Sequence, residues 1–166
     1  MSAIEALIQE LEQECKTTRR VLERVPSDKL AWKPHAKSLT LGQLAMHVAS
    51  IPGRIAPWAL QDSEQVAGGR YPEPASTAEV LAAQDAGEAR AREALSKLGD
   101  GGLGQMWTMK APDGTTIRSM PKAALLRTVA LNHLYHHRGQ LSVYLRLLDV
   151  PVPSIYGPSA DDRLGM

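Results

Sequence analysis

The stretch LNHLYHHRGQLSVYLRLLDV, residues 131–150, places His133, His136 and His137 within five positions of a helically periodic segment, in a chain with five histidines. At about 100° per residue, His133 and His137 stack on one face of a helix, and His136 points about 100° away from His137. An i, i+4 histidine pair is a recurring two-point clamp for a transition ion. Two donors rarely suffice. His47, on the shoulder of an apolar stripe beside Leu44 and Ile51, is placed to add a third from another helix. His35 is the weaker alternative because it follows Pro34 in a loop. The same spacing also arises by chance in core histidines bonded to a carbonyl or carboxylate. Burying three imidazoles costs desolvation unless something satisfies them, which weighs toward an ion.

The neighbours divide between chemistry and packing. Gln140, next to the His137 face, reads either as a hydrogen-bond partner of a ligand or as a surface glutamine. Arg138 reads as structural, forming an ion pair or capping carbonyls. Gly139 suggests close approach of another helix, since glycine inside a helix costs about 1 kcal/mol against alanine. Tyr144 reads as core packing with a satisfied hydroxyl. Trp32, Trp58 and Trp107 read as core or interface residues, and Cys15 as a small buried hydrophobe.

The elements that must position these residues follow from periodicity and caps. Residues 2–25 carry Ile4, Ile8, Leu11, Cys15, Thr18, Leu22 and Val25 at spacings of four and three, with Ser2 and Glu5 as a capping box. A second helix begins near Thr40 and runs through LGQLAMHVASIPGRIAPWALQ, bent or frayed by Pro52 and Pro57. VAGGRYPEP reads as loop. A third helix starts at Ser76 with Glu79 as a capping box and stops at Gly99. QMWTMKAPDGTTIRSM reads as a small hairpin or long loop around Asp113-Gly114. Pro121 opens a fourth helix that carries the histidines to about Asp149, and the tail VPVPSIYGPSADD then packs or wanders. On that helix the His133/His137 face also holds Leu126, Ala130, Gln140, Tyr144 and Leu148, which predicts that it is buried. The fold class predicted is all-α, a four-helix bundle.

Composition narrows the function. The 166 residues are 43% hydrophobic, enough for one domain spanning residues 1–166. A formal net charge of +1, a pI of about 7.9 and no run of like charges argue against nucleic acid or an acidic membrane surface as partner. One cysteine excludes an internal disulfide framework and a thiolate-rich zinc site, and suits the cytoplasm. The N-terminus lacks the pattern of a signal peptide, and no segment is apolar for 18 residues.

Two strings carry a resemblance. HLYHHRGQLSVYLRLLDVPVP, with its central His-Arg-Gly-Gln-Leu and a histidine four residues upstream, resembles the last helix of the DinB/YfiT-like family of proposed metalloenzymes (the DinB-like superfamily). LTLGQLAMHVASIPGR resembles that family's second helix, in which a single histidine faces the core. The resemblance implies a four-helix bundle of up-down-down-up topology, commonly a homodimer. It further implies a divalent metal, zinc or nickel, held by three histidines that match His47, His133 and His137. Such a site keeps positions open for water or substrate, as catalytic zinc does. Some family members are similar to thiol transferases that use mycothiol or bacillithiol, and others to isomerases. The function expected first is therefore a metal-dependent thiol S-transferase, passing a low-molecular-weight thiol, its cosubstrate, to a small electrophile. A metal-binding stress or interaction protein without turnover, a metal-dependent hydrolase and an inert helical bundle are the competing readings. No motif identifies a catalytic residue or the substrate.

Overall fold

The computed structural model describes residues 1–67 and 71–163. Within VAGGRYPEP, residues 68–70 lie outside the described residues, and the remainder forms no regular element.

Each of the first three helices starts on a side-chain cap. Helix α1 (Ala3–Leu22) opens on Ser2, whose hydroxyl accepts the Glu5 N–H at 3.2 Å while the Glu5 carboxylate accepts the Ser2 N–H at 2.7 Å. Its predicted seam is buried at Ile4, Leu11, Cys15, Thr18 and Leu22. Helix α2 (Leu41–Ile55) uses Thr40 and Gln43 in the same reciprocal way. It ends earlier than the predicted Gln61: a 3-10 segment (Ala56–Leu60) takes over at Pro57, and Pro52 is accommodated inside the helix. In helix α3 (Thr77–Gly102) the Ser76 hydroxyl accepts the Glu79 N–H, but the Glu79 carboxylate takes the Ala75 N–H, so the predicted box is shifted by one residue. Gly99 interrupts α3, as its stop signal predicts, and helical turn resumes to Gly102.

The all-α expectation needs correction. Strands β1 (Ser63–Gln65), β2 (Met106–Lys110) and β3 (Thr116–Pro121) form a sheet in the order β1-β2-β3. The predicted hairpin is β2-β3, with Thr108 opposite Ser119, and Gly114 has the positive φ of 85° that its turn requires. Strand β1 joins β2 in parallel, Ser63 opposite Thr108. Three residues are too short for a period-two signal, and their partner lies far along the chain. The sheet buries Trp107, stacked on Trp58 with ring centroids 5.9 Å apart and planes 7° apart.

The last helical run comprises α4 (Lys122–Ala124), a π-helical segment (Leu125–Leu131) and α5 (Asn132–Leu147). The fully buried stripe of α5 is Leu134, Arg138, Leu141 and Leu145. The His133/His137 face is buried as predicted at Leu126 and Ala130, but beside the stripe of α5 both histidines are half-buried and Gln140 is exposed. Gly139 is also corrected. It is exposed, and a Cβ there would meet nothing within 4 Å. Tyr144 packs as predicted, edge-on to Trp32, with its hydroxyl directed to the Leu39 carbonyl. The tail packs rather than wanders. Asp161 pairs with Arg146 and accepts the Val152 N–H, and Ser154 is fully buried. Among the described residues no helix is long and apolar enough to cross a membrane.

Helix α2 packs on both α3 and α5, which sets the height of His47 against the last helix. The tightest point is between Gly53 and Gly87, where a Cβ added to Gly53 would stand 2.3 Å from the Gly87 Cα and 2.7 Å from its carbonyl oxygen. Backbone on both sides leaves no flexible group to yield. Gly53→Ala is expected to destabilise the fold by about 1–3 kcal/mol or more. Gly139→Ala, in open space on a helix, is expected to stabilise it by about 0.5–1 kcal/mol. Denaturant unfolding of the two variants beside the parent checks both signs.

Candidate metal centre

Helix α2 holds His47 between Leu44, Val48 and Ile51, all buried, and His47 itself is only 2% exposed. Across from it, α5 presents His133 and His137. The Nε2 atoms of His47 and His133 are 3.2 Å apart, and the three residues offer ring nitrogens that all lie within 4.8 Å of one another. The ring centroid of His47 is 4.5 Å from that of His137, and His133 and His137 are 4.6 Å apart. The three histidines that spacing and resemblance pointed to are therefore brought together. His136 is turned outward and exposed; its ring lies 4.8 Å from that of His137 but does not join the cluster. His35 sits exposed in a turn, its Nδ1 accepting the Lys37 N–H.

The surroundings keep the imidazoles neutral. Burial, then the neighbouring His137 and His133, push the His47 pKa down to about 3, with Arg54 adding repulsion. Burial and His137 take His133 down to about 4, against an opposing hydrogen bond to the Val129 backbone. Burial also lowers His137, and its hydrogen bond to Gln140 opposes the shift. A neutral imidazole has one unprotonated nitrogen with a lone pair, the form that ligates a metal.

Which nitrogen stays free is decided by the partner of the other. The Gln140 Oε1 atom lies 2.7 Å from Nδ1 of His137 and accepts its proton, which leaves Nε2 as the donor toward the cluster. Among the described residues the buried Nδ1 of His47 has no hydrogen-bond partner.

Tested against an ion, the closest pair of donors fits, and the third lies within reach of the same point. Nitrogens about 2.0–2.1 Å from a tetrahedral zinc lie about 3.3–3.4 Å apart, close to the 3.2 Å between His47 and His133. Three neutral nitrogens suit zinc or nickel better than calcium or magnesium, which take oxygen ligands. Among the described residues no carboxylate or thiolate joins the cluster. Cys15 is buried beside α3, its thiol pushed up to about 12 by burial and the carboxylates of Glu88 and Glu14, so it is inert as predicted.

Two side chains enter that the site reading had omitted. Tyr71 sets its ring edge-on to His47 at 4.7 Å, and Arg54 is close enough to raise the cost of protonating His47 and His133. Arg54 follows His47 by seven residues on α2, so helical spacing could have placed it on the same face. Tyr71 lies in an irregular segment, and no local pattern announces it.

Comparison with known proteins bears on the family and the fold. A family model described as the DinB family matches residues 1–163. The chain is 25% identical over 154 residues to the uncharacterized protein YrdA of Bacillus subtilis (strain 168), covering 91% of this chain and 86% of that one. It is similar to a solved DinB-like protein from Bacillus cereus ATCC 10987, with a TM-score of 0.71 and 26% identity over 92% of this chain and 97% of the other. A second DinB-like structure, YjoA from Bacillus subtilis, shares the fold at a TM-score of 0.69 and 16% identity, covering 90% of this chain and 97% of its own.

Proposed function

The chain belongs to the DinB family, and from that premise and the three converging imidazoles we propose that it binds a divalent ion, zinc or nickel, and acts as a thiol S-transferase. The ion is held by His47, His133 and His137. The observation that carries the reading is the meeting of neutral ring nitrogens from two separate helices, 3.2 Å apart at their closest. A bound divalent cation lowers the pKa of a thiol it coordinates and so favours the nucleophilic thiolate. In the overall reaction the thiol sulfur bonds to an electrophilic carbon, the leaving group departs with its electron pair, and the thiol proton passes to solvent. The chain's own task is positional. Gln140 holds His137, fixing its ring and tautomer. Homodimer assembly, up-down-down-up topology and cytoplasmic residence belong to the same proposal, and light scattering checks the first.

The test has two stages. Protein purified without a histidine tag is assayed for metal by elemental analysis, with near one ion per chain expected. The metal-loaded protein is then followed for loss of free thiol from a panel of small thiols and a chlorinated aromatic electrophile, beside His137→Ala. Full metal content with no thiol consumption would sink the transferase reading and leave a metal-binding protein without turnover, which the lack of a carboxylate in the cluster favours. Gln140→Ala is expected to weaken zinc binding by about 10–100-fold, since that is what the loss of a ligand's orienting partner costs. Competition with a chromophoric chelator measures it.

A further inference from the structure

A cleft of about 240 Å³ opens beside the histidines, lined by Arg54, Trp58, Gln65, Val66, Ala67 and Tyr71. Its walls come from three places. Helix α2 and the 3-10 segment after it supply Arg54 and Trp58, β1 and the residues following it supply Gln65 to Ala67, and Tyr71 forms the boundary with the site by touching His47 edge-on. Trp58 is backed by the buried Trp107, with planes 7° apart, so this wall is rigid.

Among the described residues Arg54 is the one cationic side chain in this lining. It is exposed and, among the described residues, no carboxylate pairs with it, which leaves its donors open to the cleft. It stands seven residues after His47 on α2, two turns and about 10 Å along the same face. A molecule lying in the cleft and reaching the histidines past Tyr71 would meet the guanidinium with its other end. A guanidinium presents a planar fork of donors matched to a carboxylate. The aromatic rings of Trp58 and Tyr71 suit an apolar segment between the two ends.

We propose that this cleft is the substrate subsite and that it selects a thiol bearing a carboxylate, bound with its sulfur toward His47, His133 and His137 and its carboxylate on Arg54. The inference rests on the metal-dependent thiol chemistry proposed above. It assigns Arg54 the role of specificity determinant and Trp58, read from sequence as a core or interface residue, that of a wall for the ligand.

The test uses full-length protein loaded with cobalt, whose sulfur-to-metal absorption band reports a thiolate on the ion. The band is titrated with 3-mercaptopropionate and with its neutral amide, 3-mercaptopropionamide, in the parent protein and in Arg54→Gln. The acid is expected to bind about tenfold more tightly than the amide in the parent, as for one charge-assisted contact. In Arg54→Gln that preference should collapse while the amide binds as before, and cobalt content should not change. Comparing the ratio between the two proteins removes the difference in intrinsic thiol pKa. If the band forms with both ligands but the acid has no advantage, or keeps its advantage in Arg54→Gln, the subsite is wrong and the thiol chemistry stands. If neither ligand produces the band, the thiol chemistry falls and the subsite with it.

Discussion

Replacement of His47 by alanine is expected to lower zinc affinity by at least about a hundredfold, since loss of a mere orienting partner already costs about 10–100-fold. Purified His47→Ala should carry little metal, whereas His136→Ala should keep the parent's content. The contrast follows from geometry. His47 is buried with its Nε2 atom 3.2 Å from that of His133, and His136 is exposed and outside the cluster. Folding separates the two outcomes from trivial loss, because removing His47 also removes a buried Nδ1 atom that has no hydrogen-bond partner among the described residues. Circular dichroism in the presence of chelator should therefore remain close to that of metal-free parent. Equal metal in both variants would place the ion elsewhere.

The second large effect concerns the residue next to the cluster. Arg138→Met is expected to destabilise the fold by about 3–5 kcal/mol, the usual result of stripping one partner from a buried ion pair. The Arg138 guanidinium lies 2.7 Å from the Glu14 carboxylate, with side chains 1% and 11% exposed. It also donates to the Thr18 hydroxyl at 3.1 Å and to the Tyr156 hydroxyl at 2.5 Å, and the Tyr156 hydroxyl in turn donates to Glu14 at 2.8 Å. Methionine would fill the space and leave the Glu14 carboxylate without its cation. At about 2–4 °C per kcal/mol for a chain of this size, the midpoint should fall by about 6–20 °C. Adding Glu14→Leu should restore much of the loss, since a well-packed apolar pair often matches a buried ion pair. A double variant no better than Arg138→Met would show that the pair is not the source of the cost. Because Arg138 adjoins His137 on α5, the same anchor fixes the rotation of that helix, and with it the direction of the His137 ring.

Local signals were legible in the chain. Ser2 and Glu5 form the predicted capping box, the seam from Ile4 to Leu22 is buried except at the half-buried Ile8, and Asp113-Gly114 makes the turn of β2-β3. The misreadings share a cause. Gly139 was assigned a packing role, but the close glycine contact belongs to Gly53 and Gly87. The buried member of the His-Arg-Gly-Gln string is the charged Arg138, which hydrophobic periodicity excludes from a core stripe although it sits in line with Leu134, Leu141 and Leu145. Strand β1 has too few residues to alternate, and the π-helical segment before the histidines has no compositional mark.

The sequence by itself determined that His133 and His137 stand one above the other, because a helical repeat of about 3.6 residues makes that relation a matter of backbone geometry within a single turn. Only the tertiary structure decided that His47, 86 residues away from His133 along the chain, meets them, and that Tyr71 and Arg54 stand beside the meeting point. Those distances depend on how closely α2 and α5 approach and on their rotation about their axes. Both are set by contacts spread over the core, from the glycine crossing of α2 and α3 to the Arg138–Glu14 pair, and no short window of residues contains them.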